Sequence, residues 1–116
     1  MKFYKNKKTK ACIPSTDSLS NENYIEIKAG TEDAALEKHV PVYSIKDDEI
    51  LVTVGSIDHP MTDEHYIMWI AQIKDEEINK VDLTSQDKPQ ATFKYIKGSK
   101  IYAYCNLHGL WETTVK

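Results

Sequence analysis

The sequence contains no arginine; all 15 of its basic residues are lysines. Arginine's planar fork is the side chain best suited to bidentate recognition of phosphates and base edges. Its absence, together with a net charge of −3, argues against nucleic acid as a partner. Cysteine is scarce, with only Cys12 and Cys105 present. A disulfide between them is conceivable, but in a reducing compartment two free thiols are expected. A lone cysteine near histidines then points to metal or catalysis. No apolar run reaches the roughly 18 residues that a membrane helix needs. The basic start, Met1 to Lys8, is not followed by an apolar stretch, so no secretory signal is expected and a cytoplasmic location is.

What is present is ordinary for a soluble globular protein. The chain has 116 residues, 41% hydrophobic and 28% charged, enough for one domain with a single core and a short appendage. Period-two alternation runs through its middle and end. Ile50, Val52 and Val54 alternate with Glu49, Leu51 and Thr53; Ile101, Ala103 and Cys105 alternate with Lys100, Tyr102 and Tyr104. Phe93 and Tyr95 behave likewise, and further strands are expected over 24–28, 40–45, 66–73, 79–83 and 111–115. Turn-forming clusters separate them, among them Gly55-Ser56, Asp58-His59-Pro60, Gly98-Ser99 and Asn106-Leu107-His108-Gly109. Seven or more short strands predict an all-β antiparallel sandwich. The one helix expected covers 31–38, one or two turns capped by Thr31, with Glu32 and Asp33 in its first turn.

The stretch 66–73 is apolar on both faces, with Ile67, Trp69, Ala71 and Ile73 on one and Tyr66, Met68 and Ile70 on the other. A loop, the terminus or a second subunit must cover the outer face, and a homo-oligomer, dimer or tetramer, is expected. Residues 1–30 differ in character, with five lysines in the first ten positions. The first ten are expected to be solvated and partly frayed, and 1–30 as a whole to lie on the domain as an appendage without a core of its own, leaving 31–116 as the domain proper.

The chemistry resides in four histidines and one cysteine. His39, His59, His65 and His108 each sit where strand alternation breaks, and His108 follows Cys105 in Cys-Asn-Leu-His-Gly. Taken singly, each is best read as a surface or hydrogen-bonded histidine. Together they are a ligand set, because imidazole and thiolate suit zinc, copper and iron. The Cys-x-x-His spacing lets one tight turn offer both donor types to one ion. Cys105 is in phase with Ile101 and Ala103, so its sulfur should face the side they bury. A closed zinc site wants four ligands; five candidates fit iron with a position left open.

The stretches Glu37-Lys38-His39-Val40-Pro41-Val42, Val54-Gly55-Ser56 through His59-Pro60-Met61, His65-Tyr66-Ile67-Met68-Trp69-Ile70 and Ala103-Tyr104-Cys105-Asn106-Leu107-His108-Gly109-Leu110-Trp111 resemble the superoxide reductases, a family that includes neelaredoxins and the C-terminal domain of desulfoferrodoxins. The resemblance implies an immunoglobulin-like β-sandwich holding one non-haem iron. It makes His39, His59, His65 and His108 the equatorial ligands and Cys105 the axial one, with a sixth position open to superoxide. It further implies that Lys38 attracts the anion and orders water for proton delivery, that Glu37 closes on the ferric ion at rest, and that an external donor such as rubredoxin supplies the electron. Desulfoferrodoxins carry a four-cysteine N-terminal iron site, for which this chain has only Cys12; residues 1–30 then resemble a degenerate desulforedoxin-like remnant. A cupredoxin-like electron carrier and a structural zinc-binding sandwich are the alternatives. The first is disfavoured because no methionine follows His108.

Overall fold

The computed structural model describes residues 1–19, 21–31, 34, 36–57 and 59–116, with the side chain of Glu37 outside the description. Among the described residues the chain forms ten strands, the first two of which lie where no strand was expected: β1 Lys2–Asn6, β2 Cys12–Ser15, β3 Tyr24–Ile27, β4 Pro41–Lys46, β5 Glu49–Val54, β6 Ile67–Lys74, β7 Glu77–Asp82, β8 Gln90–Lys94, β9 Lys100–Cys105 and β10 Gly109–Thr114. They assemble as three antiparallel sheets, ordered β2-β1-β3, β10-β9-β6-β7 and β4-β5-β8. The latter two face each other as the expected immunoglobulin-like sandwich.

Between them lies the first core. Ile50, Val52 and Val54 of β5, with Ala91 and Phe93 of β8, meet Ile67, Ile70, Ile101, Ala103 and Cys105 of the larger sheet. Each fully buried aliphatic side chain there stabilises the fold by about 1.5–3 kcal/mol relative to exposure. The sulfur of Cys105 faces this core beside Ile101 and Ala103, as their shared phase predicts.

The second core corrects the reading of the N-terminus. Residues 2–6 are a central strand, flanked by β2 and β3, and Phe3 and Tyr4 are buried. Phe3 and Cys12 pack with Trp69, Ala71, Ile73, Tyr102, Tyr104 and Leu110 on the outer face of the large sheet. Phe3 stacks on Trp69 at 6.3 Å and meets Tyr102 at 4.5 Å, while Trp69 stacks on Tyr104 at 5.8 Å. The appendage lies on the domain as expected, but as a third layer with a buried interface, and its start is a packed strand rather than a frayed tail. Lysine density hid it, because Lys2 and Lys5 flank the two aromatics that anchor the strand. The same layer covers the apolar outer face of β6, so that face does not call for a second subunit.

Two local readings change as well. The chain bulges between Ile67 and Trp69, so Ile67 pairs with Cys105 and Trp69 with Tyr104. That extra residue turns Ile67 into the first core and Trp69 into the second, not onto one face as strict alternation predicts. The helix is a single turn, Leu36–His39. Thr31 directs its hydroxyl back to the Lys28 carbonyl at 2.8 Å. Glu32 and Asp33 lie outside the described residues.

Candidate metal centre

All four histidines meet at one end of the sandwich. His39 closes the helical turn, immediately before Val40 and the start of β4 at Pro41. His59 stands in the loop after β5, its amide donating to the Val54 carbonyl at 2.8 Å. His65 sits in a tight bend before β6, not on the strand; its amide donates to Thr62 Oγ1 at 3.2 Å, and the Thr62 hydroxyl donates to the His65 carbonyl at 3.3 Å. Cys105 ends β9, and His108 follows in the turn to β10. Gly109, at φ 80°, carries the left-handed backbone that lets this turn close directly into β10.

The four imidazoles form a near-square. Neighbouring ring centroids are 4.7 Å apart for His39–His59, 4.6 Å for His59–His65, 4.9 Å for His65–His108 and 4.9 Å for His39–His108, with planes nearly perpendicular at each corner. Across the diagonal, His39 and His65 stand 6.3 Å apart with planes inclined by 25°. Ligand atoms of His39, His59, His65 and Cys105 all lie within 4.8 Å of one another. His108 joins through its Nδ1, 3.1 Å from His39 Nε2.

The donors fit a bound cation. His59 Nδ1 is 2.7 Å from the Pro60 carbonyl, which only accepts, so the proton sits on Nδ1 and the lone pair on Nε2 points inward. His59 Nε2 lies 3.1 Å from His39 Nε2, which is 3.1 Å from His108 Nδ1 as well. One ring proton cannot serve both contacts well. His65 Nε2 is buried with no hydrogen-bond partner. A positive ion at the centre satisfies all of these lone pairs at once. The spacing also speaks to geometry: two nitrogens about 2.1 Å from one ion are about 3.0 Å apart at a right angle and about 3.4 Å apart at the tetrahedral angle. The 3.1 Å separations lie in the range that nitrogens sharing one ion take.

Electrostatics keep His59 and His65 in their ligating form. Burial, then the Pro60 carbonyl in opposition and the neighbouring histidines in support, brings His59 down to about 4. His65 is lowered chiefly by burial, then by His108, His39 and the Lys38 ammonium. Cys105 is raised by burial, against the amides of His108 and Leu107; the His108 N–H donates to its sulfur at 3.4 Å. A cation is what makes a thiolate favourable in that setting.

Some positioning side chains escaped the sequence reading. Trp111 lies 5.3 Å from His39 between ring centroids and donates through Nε1 to the His108 carbonyl at 3.0 Å. The Ile67 amide donates to Met61 Sδ at 3.4 Å, and Ser85 bonds Asp63 beside the His65 bend. Nothing in the residue types marked these roles. Lys38 is exposed, next to His39 in sequence. The expectation for Glu37 as a ligand lies outside the described side chains.

Fold and site together define a β-sandwich protein built to bind a metal through imidazoles and one thiolate. A family model described as desulfoferrodoxin matches residues 31–114, and the chain belongs to that family. It is 43% identical over 98 residues to a desulfoferrodoxin of Clostridium acetobutylicum, covering 84% of this chain and 78% of that one. It is 39% identical over 100 residues to a superoxide reductase of Pyrococcus abyssi, covering 69% of this chain and 87% of the relative. The crystal structure of the superoxide reductase from Treponema pallidum superposes with a TM-score of 0.76 at 32% identity, covering 97% of this chain and 98% of the other.

Proposed function

We propose that this protein is a superoxide reductase, adding one electron and two protons to superoxide to give hydrogen peroxide. The observation that carries the reading is the near-square of four imidazoles around a point that Cys105 approaches from the first core. One non-haem iron per chain is the resident ion in this reading; bound there it would supply one-electron redox chemistry, and the Cys105 thiolate would donate charge to it. His39, His59, His65, His108 and Cys105 would hold it. Lys38 would draw the anion in and order water for protonation, and Glu37 would close on the oxidised centre at rest.

The electron comes from an outside carrier such as rubredoxin. Three aliphatic side chains support a docking rim for it. Leu36, Leu107 and Ile57 are the most exposed large hydrophobics among the described residues, and each stands within three positions of a ligand. Three such side chains fall well short of the about 800 Å² per partner of a stable interface and suit a transient encounter. Residues 1–30 are read as a remnant appendage with no second metal centre, since Cys12 is its lone thiol. Both cysteines are free, in keeping with a reducing cytoplasm. Among the described residues no helix is long and apolar enough to cross a membrane.

Metal analysis with visible spectroscopy on wild type and Cys105→Ser tests the centre. One iron per chain and a red absorption in the oxidised wild type are expected, with the absorption and superoxide reduction lost in the variant while the fold persists. A colourless zinc protein, two irons per chain or an unchanged ferric spectrum in the variant would overturn the assignment.

A further inference from the structure

Two ligand-bearing segments meet without a β-ladder to join them. The β6–β9 pairing ends at Ile67 and Cys105. Beyond it the chain must leave the ladder after Cys105, because the turn that follows brings His108 to the centre. The bend carrying His65 would then be left beside a segment that has turned away.

Asn106 fills this gap. Its amide donates to the Tyr66 carbonyl at 3.2 Å. Its Oδ1 accepts from the Tyr66 amide at 3.0 Å, and its Nδ2 donates to the Glu64 carbonyl at 3.0 Å. The carboxamide thus stands in for one further backbone pair, bonding on both sides of His65. Only a side chain that donates and accepts at once can do this at so short a reach. Aspartate offers no donor and would face the Glu64 carbonyl with charge; serine is too short to span both partners.

We propose that Asn106 is a positioning residue, resting on the metal-centre reading above: its side chain locks the His65 bend to the Cys105–His108 turn and so fixes the spacing between three of the donors. Outer-shell partners of this kind typically carry 10–100-fold in metal affinity. Asn106 itself touches neither ion nor substrate.

The test uses the metal-free full-length protein titrated with Co2+ against a competing chelator, followed by the visible absorption of the cobalt site. Asn106→Ala should weaken Co2+ binding by about 10–100-fold and shift the sulfur-to-metal band. Asn106→Asp, which keeps the acceptor for Tyr66 and loses the donor to Glu64, should fall between that variant and wild type. If Asn106→Ala does not fold, by far-ultraviolet circular dichroism, the aspartate variant carries the comparison. A purely structural residue would lower the thermal midpoint of the metal-free protein while leaving affinity and band where they are. That result in a folded variant overturns the proposal. Failure of the wild type to take up Co2+ would overturn the metal-centre reading beneath it instead.

Discussion

Lys38 is an exposed cation whose charge reaches the centre, for its ammonium is among the groups holding His65 neutral. The chain as a whole carries −3 and repels an anion, so a local positive charge has something to overcome. Attraction of this kind acts on the encounter rate and is screened over about 8 Å at physiological ionic strength. In Lys38→Met the second-order rate with superoxide should fall, its salt dependence should flatten, and the ferric spectrum should stay as it is. Pulse radiolysis across a salt series checks this; equal rates and equal slopes in both proteins would return Lys38 to an ordinary surface role. At this scale most of the centre was legible. Cys105 and the four histidines stood out because so few residues of those types exist in the chain and each interrupts an alternating pattern. Asn106, Trp111 and Met61 were not legible, since their roles lie in hydrogen bonds across 3 to 42 positions of sequence and not in their chemistry.

Among the elements, the strands of the sandwich followed from alternation alone, because one face of β5 and of β8 meets solvent and polar residues mark it. The N-terminal layer was hidden for the opposite reason. In β1 the two aromatics are adjacent rather than alternating, and lysines on either side give the segment the composition of a solvated tail. The bulge in β6 was equally silent, since every residue from Ile67 to Ala71 is apolar and none registers the slip. If β1 is a genuine layer, Phe3→Ala should cost about 3–5 kcal/mol, the range for emptying a buried aromatic site. Urea unfolding measures it; a loss under 1 kcal/mol would show that Phe3 is not packed between Trp69 and Tyr102 as described.

The whole molecule is a stack of three sheets in which the middle one serves two cores. Its outer interface holds two groups that resist ionisation. Burial pushes Cys12 up to about 12 despite the Lys80 and Lys5 ammonium groups, and burial with the Glu112 carboxylate pushes Tyr102 up to about 12. The folded form therefore prefers both neutral, whereas the unfolded chain ionises them near 9 and 10. Stability is full below about pH 9; Cys12 withdraws it from about pH 9 and Tyr102 from about pH 10, each by at most about 1.4 kcal/mol per pH unit up to about 12. Denaturation midpoints at pH 8, 9.5 and 11 should decline in that order, and a flat series would sink the argument. Strands β6 and β9 lie between the two cores, so they are the part of the molecule slowest to open. Cys105 ends one of them and His65 stands just before the other, whereas His39 and His59 hang from the helical turn and a loop of the thinner sheet. Local opening should therefore uncover the centre from the His39 and His59 side first, where a chelator would gain access. The Cys105 sulfur, fully buried at the end of β9, should be the last donor to be bared, so the group most easily spoiled by peroxide is the one the fold shields longest.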